Sequence, residues 1–129
     1  MSGKSQVCRV LVVEDHEVTR RSLSKLLQYS GHHVTTAGSF AEARRCLRAP
    51  FDAFILDVQL PDGNGLDLIR EVSSFNSLAV IAIVTGSVQS KQLGDPISFG
   101  ADVIFEKPVH GDEVLNWLSE HCYNRGSRG

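Results

Sequence analysis

Five polar residues stand where apolar runs end. Glu14 and Asp15 follow Val10-Leu11-Val12-Val13, Asp57 follows Phe54-Ile55-Leu56, Thr85 follows Val80-Ile81-Ala82-Ile83-Val84, and Lys107 comes just after Val103-Ile104-Phe105. If these runs are strands, their carboxyl ends share one crevice, which is where open α/β sheets bind ligands. Two carboxylates ~4 Å apart repel by about 4 kcal/mol at an effective dielectric near 20, and a third adds to the crowding. A site built from Glu14, Asp15 and Asp57 therefore calls for a cation, and hard oxygen donors with room for water suit Mg²⁺. Lys107 adds a flexible point charge. An ionised Asp is also a nucleophile able to form an aspartyl-phosphate. With a metal shielding phosphate charge, Lys107 and the Thr85 hydroxyl would hold phosphoryl oxygens, the kind of clamp that dominates phosphoryl transfer. Asp57 is the expected acceptor.

Each residue taken alone has a plainer role. Asp57 could cap a helix or form a turn, Glu14-Asp15 could cap the first helix, Thr85 could belong to a turn, and Lys107 could be a solvated surface charge. The joint pattern decides for the site, because every member falls at the same end of successive strands.

The elements that must position these residues read as β-α repeated from end to end. The three central runs are continuous and rich in β-branched residues, as in strands buried on both faces of a parallel sheet. Val34–Ala37 and Val103–Phe105 are weaker, peripheral strands. Val18, Leu23, Leu26 and Leu27 suggest one apolar helix face, stopped at Gly31. Ser39-Phe40-Ala41-Glu42 has capping-box spacing and opens a helix expected to end before Pro50. Leu66, Ile69 and Val72 mark a third helix, and Val114, Leu115, Trp117 and Leu118 a last one starting near Asp112. In the fourth, Gly94-Asp95-Pro96 interrupts the pattern, with Asp95 as N-cap and Pro96 as first helical residue. The result is a doubly wound α/β domain with helices on both faces of a five-stranded parallel sheet. Residues 1–8 are a lead-in, 9–122 the domain, and 123–129 a flexible tail, polar and Gly-rich from Asn124.

Composition bounds the remaining classes. The chain has 129 residues, 42% of them hydrophobic and 22% charged, with a net charge of -2. That length fits one domain with its own core, and the balance gives no basic surface for direct nucleic-acid contact. No apolar run approaches the ~20 residues needed to cross a bilayer, and no signal-peptide pattern opens the chain, so a cytoplasmic location is expected. The three cysteines, Cys8, Cys46 and Cys122, are widely spaced and read as free, buried thiols in a reducing compartment. The five histidines show no metal-site spacing; His32-His33 marks a turn, as does Pro61-Asp62-Gly63-Asn64-Gly65.

At these residues the chain resembles the response-regulator receiver domain (CheY-like) of two-component signalling, from Arg9 to about Cys122. The matching pieces are Val12-Val13-Glu14-Asp15, the stretch from Leu56-Asp57 to Asn64-Gly65, Val84-Thr85-Gly86, and Phe105-Glu106-Lys107-Pro108. The resemblance implies the flavodoxin-like strand order 2-1-3-4-5 and a phosphoryl group passed to Asp57 from a phosphohistidine on a histidine kinase or phosphotransfer protein. It implies Mg²⁺ held by Asp15, Asp57 and the Gln59 backbone carbonyl, with Glu14 acting directly or through water. Thr85 and Lys107 would contact the phosphoryl group, and Lys107-Pro108 would be a cis peptide. Such a module is not an enzyme in the ordinary sense, although it catalyses its own phosphorylation and dephosphorylation. Output is expected through a downstream protein or a domain outside this sequence, from a monomer or weak homodimer.

The sequence departs from the family pattern in three places. Glu14 stands where Asp is commoner. Ile104 stands at the switch aromatic, with Phe105 facing the other side of the sheet. The Gly94-Asp95-Pro96 break falls in the helix whose face changes on activation, so readout through a rearranged fourth-helix region is expected. The alternative is a pseudo-receiver that binds partners without phosphorylation, against which the intact five-residue set argues. A phosphohydrolase would commonly carry a second Asp where Gln59 stands, and a flavin carrier would meet repulsion from Glu14-Asp15.

Overall fold

The computed structural model describes residues 7–86 and 96–126. In chain order the elements are β1 (Arg9–Val13), α1 (Glu17–Tyr29), β2 (His33–Ala37), α2 (Phe40–Cys46), β3 (Ala53–Asp57), β4 (Gln59–Leu60), β5 (Gly63–Asn64), α3 (Gly65–Phe75), β6 (Val80–Thr85), α4 (Pro96–Phe99), β7 (Val103–Glu106) and α5 (Gly111–Gly126). The main sheet has 5 strands in the order β2-β1-β3-β6-β7, and its neighbours pair in parallel. With the small antiparallel β4–β5 hairpin set aside, this is the expected 2-1-3-4-5.

The continuous apolar runs become the central strands because both of their faces are covered. Every residue of β3 and β6 is buried. Successive side chains point to opposite faces. Leu11, Val13, Phe54, Leu56, Ile81 and Ile83 pack with residues of α2 and α3. Val10, Val12, Ile55, Ala82 and Val84 pack with Leu23 and Leu27 of α1 and Val114, Trp117 and Leu118 of α5. Each fully buried aliphatic side chain contributes about 1.5–3 kcal/mol, so this two-faced core is what fixes the strand ends in place. The peripheral strands β2 and β7 are less buried, as their weaker patterns suggest.

Several local expectations change. Val18 is 69% exposed; it precedes Leu23 by five residues, about 140° around a helix, and so leaves the face that Leu23 and Leu27 share. Gly31 ends α1 with φ 101°, a conformation that favours glycine. Ser39 caps α2 as expected, accepting a hydrogen bond from the Glu42 N–H at 3.1 Å, and α2 ends at Cys46, before Pro50. His33 opens β2 instead of lying in a turn. His32 Nδ1 accepts the Cys8 N–H at 3.1 Å, and burial, then the neighbouring His33, lowers the His32 pKa. That favours the neutral ring needed for an acceptor.

The free-thiol expectation is corrected for two cysteines. Cys8, just before β1, and Cys122, in α5, form a disulfide with Cα atoms 6.2 Å apart and 114 positions between them in sequence. The parallel sheet brings the start of its first strand under the last helix, a proximity that spacing along the chain does not reveal. Cys46 is free. The backbone of α5 is helical to Gly126, past the point where a tail was expected. Helix α4 spans Pro96–Phe99 among the described residues; Gly94 and Asp95, where the break and the N-cap are expected, lie outside them. Among the described residues no helix is long and apolar enough to cross a membrane.

Candidate functional site

The carboxyl ends of β1, β3, β6 and β7 carry the predicted residues to one edge of the sheet. Glu14 leaves β1 directly and is held there because its N–H donates to Ala37 O at 3.0 Å. Asp57 ends β3 and is paired in register with Val84. Thr85 ends β6 opposite Glu106 of β7, so Lys107 follows at the same level, and its N–H donates to Thr85 O at 2.9 Å. Glu14, Asp57 and Thr85 are buried, while Asp15 is exposed at the rim.

The acids converge despite their mutual repulsion. Glu14, Asp15 and Asp57 each offer a carboxylate oxygen, and the three oxygens lie within 4.8 Å of one another. Lys107 Nζ donates to Asp57 Oδ2 at 3.0 Å and stands 3.6 Å from Glu14 Oε1. The other Asp57 oxygen, Oδ1, accepts the Gln59 N–H at 3.1 Å. The Thr85 hydroxyl donates to Gly86 O at 3.1 Å. The Lys107-Pro108 peptide is cis.

Electrostatics register the crowding. Glu14 is pushed from an ordinary value of 4.5 up to about 7, first by burial and then by the Asp57 charge and contact, against the His16 N–H and Lys107. The opposing hydrogen bond runs from the His16 N–H to Glu14 Oε2 at 3.0 Å. Burial works to lower the Lys107 pKa, but the hydrogen bond to Asp57 and attraction from Asp57, Glu14 and Asp15 outweigh it, so the ammonium is held above its usual range. One ammonium against three carboxylates leaves a deficit of positive charge. Clustered hard oxygen donors with an exposed edge fit a divalent cation of the Mg²⁺ type.

Three supporting residues were not singled out from the sequence. Arg20 Nη1 donates to Glu14 O at 3.0 Å and Asp15 O at 3.4 Å, pinning the turn that carries the acid pair. Gly65 passes so close to Asp57 that a Cβ there would fall on the Asp57 carbonyl oxygen, and its N–H donates to Val58 O at 2.7 Å. Asp62, read only as a turn residue, accepts the backbone N–H groups of Phe40 and Ala41 at the start of α2. The Gly-rich spacing of residues 61–65 left a trace for Gly65, whereas the Asp62 contacts join segments 22 and 21 positions apart and the Arg20 contacts, only six and five positions long, depend on how the chain turns after β1.

Comparison with known proteins identifies the family. The family model described as the response regulator receiver domain matches residues 10–119. The virulence transcriptional regulatory protein PhoP of Salmonella typhimurium (strain LT2) is 38% identical over 108 residues, covering 83% of this chain and 48% of that protein. The chain thus spans about half the length of the curated relatives it matches. A CheY-like receiver domain from Methanospirillum hungatei JF-1 superposes with a TM-score of 0.80 at 24% identity, over 95% of this chain and 98% of that one. The non-phosphorylated HemR receiver domain from Leptospira biflexa gives 0.76 at 31% identity, over 87% and 91%. Receiver domains are signalling modules of two-component systems, bind Mg²⁺ through acidic residues, and work with kinases and output domains. This chain belongs to the response regulator receiver domain family.

Proposed function

We propose that Asp57 accepts a phosphoryl group from the phosphohistidine of a sensor kinase or phosphotransfer protein, and that the modified chain changes its binding to a downstream protein or output domain. The observation that carries this reading is Lys107 Nζ set between two buried carboxylates, 3.0 Å from Asp57 Oδ2 and 3.6 Å from Glu14 Oε1. A structural surface lysine has no need of that position. In the transfer an Asp57 carboxylate oxygen attacks phosphorus, the P–N bond to the donor imidazole breaks, and the ring leaves with its electron pair. Asp57 Oδ1 is oriented by the Gln59 N–H. Lys107 then exchanges its contact with the carboxylate for one with a phosphoryl oxygen, and the Thr85 hydroxyl turns from Gly86 O to another.

Asp15, Asp57, the Gln59 carbonyl and Glu14 would hold Mg²⁺. When bound it neutralises the charge that phosphate brings to three carboxylates. Asp57 is only 2% exposed, so the donor must enter over Asp15 and Lys107. A groove of about 770 Å³ opens there, with Asp15, Val18, Leu23, Lys107 and Pro108 in its walls. Its apolar floor and charged lip suit a docking helix that presents a phosphohistidine. By the same chemistry the chain catalyses its own phosphorylation from small donors and its own dephosphorylation by water.

Incubation with Mg²⁺ and acetyl phosphate or phosphoramidate, followed by intact-mass measurement, tests this reading. A phosphate-sized increase that is lost in Asp57→Asn is the expected result. No increase with any donor, and no response to beryllofluoride, would favour a pseudo-receiver.

A further inference from the structure

The hairpin after Asp57 is fastened to a different part of the chain. Gln59 and Leu60 pair with Asn64 and Gly63, and the turn between them projects Asp62 towards the start of α2. One Asp62 carboxylate oxygen accepts the Phe40 N–H at 2.7 Å and the other accepts the Ala41 N–H at 3.0 Å. Ser39 accepts the Glu42 N–H, so the first three amides of α2 are all taken, two of them by a residue 21 or more positions away. The next residue, Gly63, lies under the Phe40 ring: a Cβ at Gly63 would stand 2.6 Å from Phe40 Cδ2. A carboxylate on two amides and a ring on a glycine make a two-point attachment.

The geometry points to Asp62 as a positioning residue for metal binding: by latching the hairpin to α2 it holds Gln59, and with it the backbone carbonyl that serves as a metal ligand. This rests on the reading of Gln59 given above. Gln59 is bound on both sides, by its own N–H to Asp57 Oδ1 and by the hairpin pairing to Asn64, so the whole loop moves or stays as a unit. Asp62 is exposed and does not touch the acid cluster; its influence passes only through the loop. Charge-assisted bonds to helix amides are the stronger kind, and the two N–H groups lower the Asp62 pKa, so the latch is charged at neutral pH. Because coupling is reciprocal, a metal that fixes Gln59 also steadies the Phe40 and Ala41 amides.

Titration calorimetry with Mg²⁺ on the full chain tests the latch against a general loss of α2. Asp62→Ala is expected to raise the Mg²⁺ Kd about tenfold, the scale of lost outer-sphere support at metal sites. Ser39→Ala removes a cap from the same helix but leaves the hairpin attached, so its Kd should stay within about twofold of wild type. Asp62→Glu, which keeps the charge, should recover part of the affinity. In wild type, Mg²⁺ should slow hydrogen exchange at the Phe40 and Ala41 amides. Equal Kd values for Asp62→Ala and wild type, an equal loss in Ser39→Ala, or unchanged exchange at Phe40 and Ala41 would overturn the latch while leaving the metal reading intact. A wild-type chain that binds no Mg²⁺ would overturn both.

Discussion

The two flanks of Asp57 are built on different principles. Towards β1 and α2 the site is tied by polar contacts, the first within the turn after β1 and the others across long stretches of sequence. Arg20 holds the Glu14 and Asp15 carbonyls, and Asp62 holds the start of α2. Arg44 Nε meets Glu71 Oε1 at 3.0 Å, joining α2 to α3, and Asn76 reaches back to Leu47 O. Towards β6 and β7 the Thr85 hydroxyl satisfies its own neighbour's carbonyl. The ring of Phe105 turns to Trp117, 6.2 Å between centroids, on the α5 face, and Ile104 supplies a branched aliphatic at the alternate position. The first flank fixes geometry for chemistry. Among the described residues the second flank carries its cross-segment side-chain bond, Asp102 Oδ2 accepting the Ile81 N–H at 2.7 Å, at the opposite end of the strands, so the Thr85 hydroxyl can turn without breaking it.

The largest expected effect is at the hinge between the flanks. Lys107→Met should slow phosphorylation by about 10²–10³-fold, the scale for removing one preorganised donor to developing charge. A time course of intact mass with Mg²⁺ and a small phosphodonor measures it. A rate within a few-fold of wild type would show that Lys107 belongs to neither flank's chemistry.

The next effect follows from Glu14. Its folded pKa of about 7 lies above the ordinary 4.5, so between those values the folded state binds more protons than the unfolded one. Stability from the protonated acid is therefore fully present below about 4.5 and lost as pH rises through about 7. Metal-free protein should lose denaturant stability across that window, and Glu14→Gln should flatten the slope. Because the metal competes with the proton, Mg²⁺ affinity should rise over the same range in wild type. A slope that persists in Glu14→Gln would assign the crowding elsewhere.

Much of this was legible because it is local. Continuous apolar runs announced strands covered on both faces, and their end residues announced the crevice, so Glu14, Asp15, Asp57, Thr85 and Lys107 were readable together. What escaped depends on which distant segments touch. Asp62 looks like any turn aspartate until α2 is seen beside it. Cys8 and Cys122 carry no spacing signal across 114 positions. Val18 was misplaced because apolarity at roughly helical spacing does not distinguish the core stripe from a residue about 140° away, exposed beside the site.

Gly65 bears on the fixed flank by shape alone. Gly65→Ala would drive a Cβ into the Asp57 carbonyl, and backbone cannot swing aside as a side-chain tip does. Overpacking of this kind costs about 1–3 kcal/mol, readable by chemical denaturation, and the displaced Asp57 should bind Mg²⁺ more weakly. Unchanged stability would mean that the hairpin yields, contrary to its attachments.

The smallest effect tests whether the flanks are separable. Ile104 is half-buried in β7, paired in register with Ile83, and one strand position from Phe105. Ile104→Tyr restores a ring at the switch position without touching the acids, Lys107 or the hairpin. Its phosphorylation rate should stay within about twofold of wild type, matching the ~0.5 kcal/mol typical of substitutions away from such features. Hydrogen exchange along β6 and β7 in the presence of beryllofluoride should differ between the two proteins, because the added ring has a polar tip that must find either solvent or a partner. A tenfold change in rate would tie β7 to the chemistry, and the two flanks would then act as one unit.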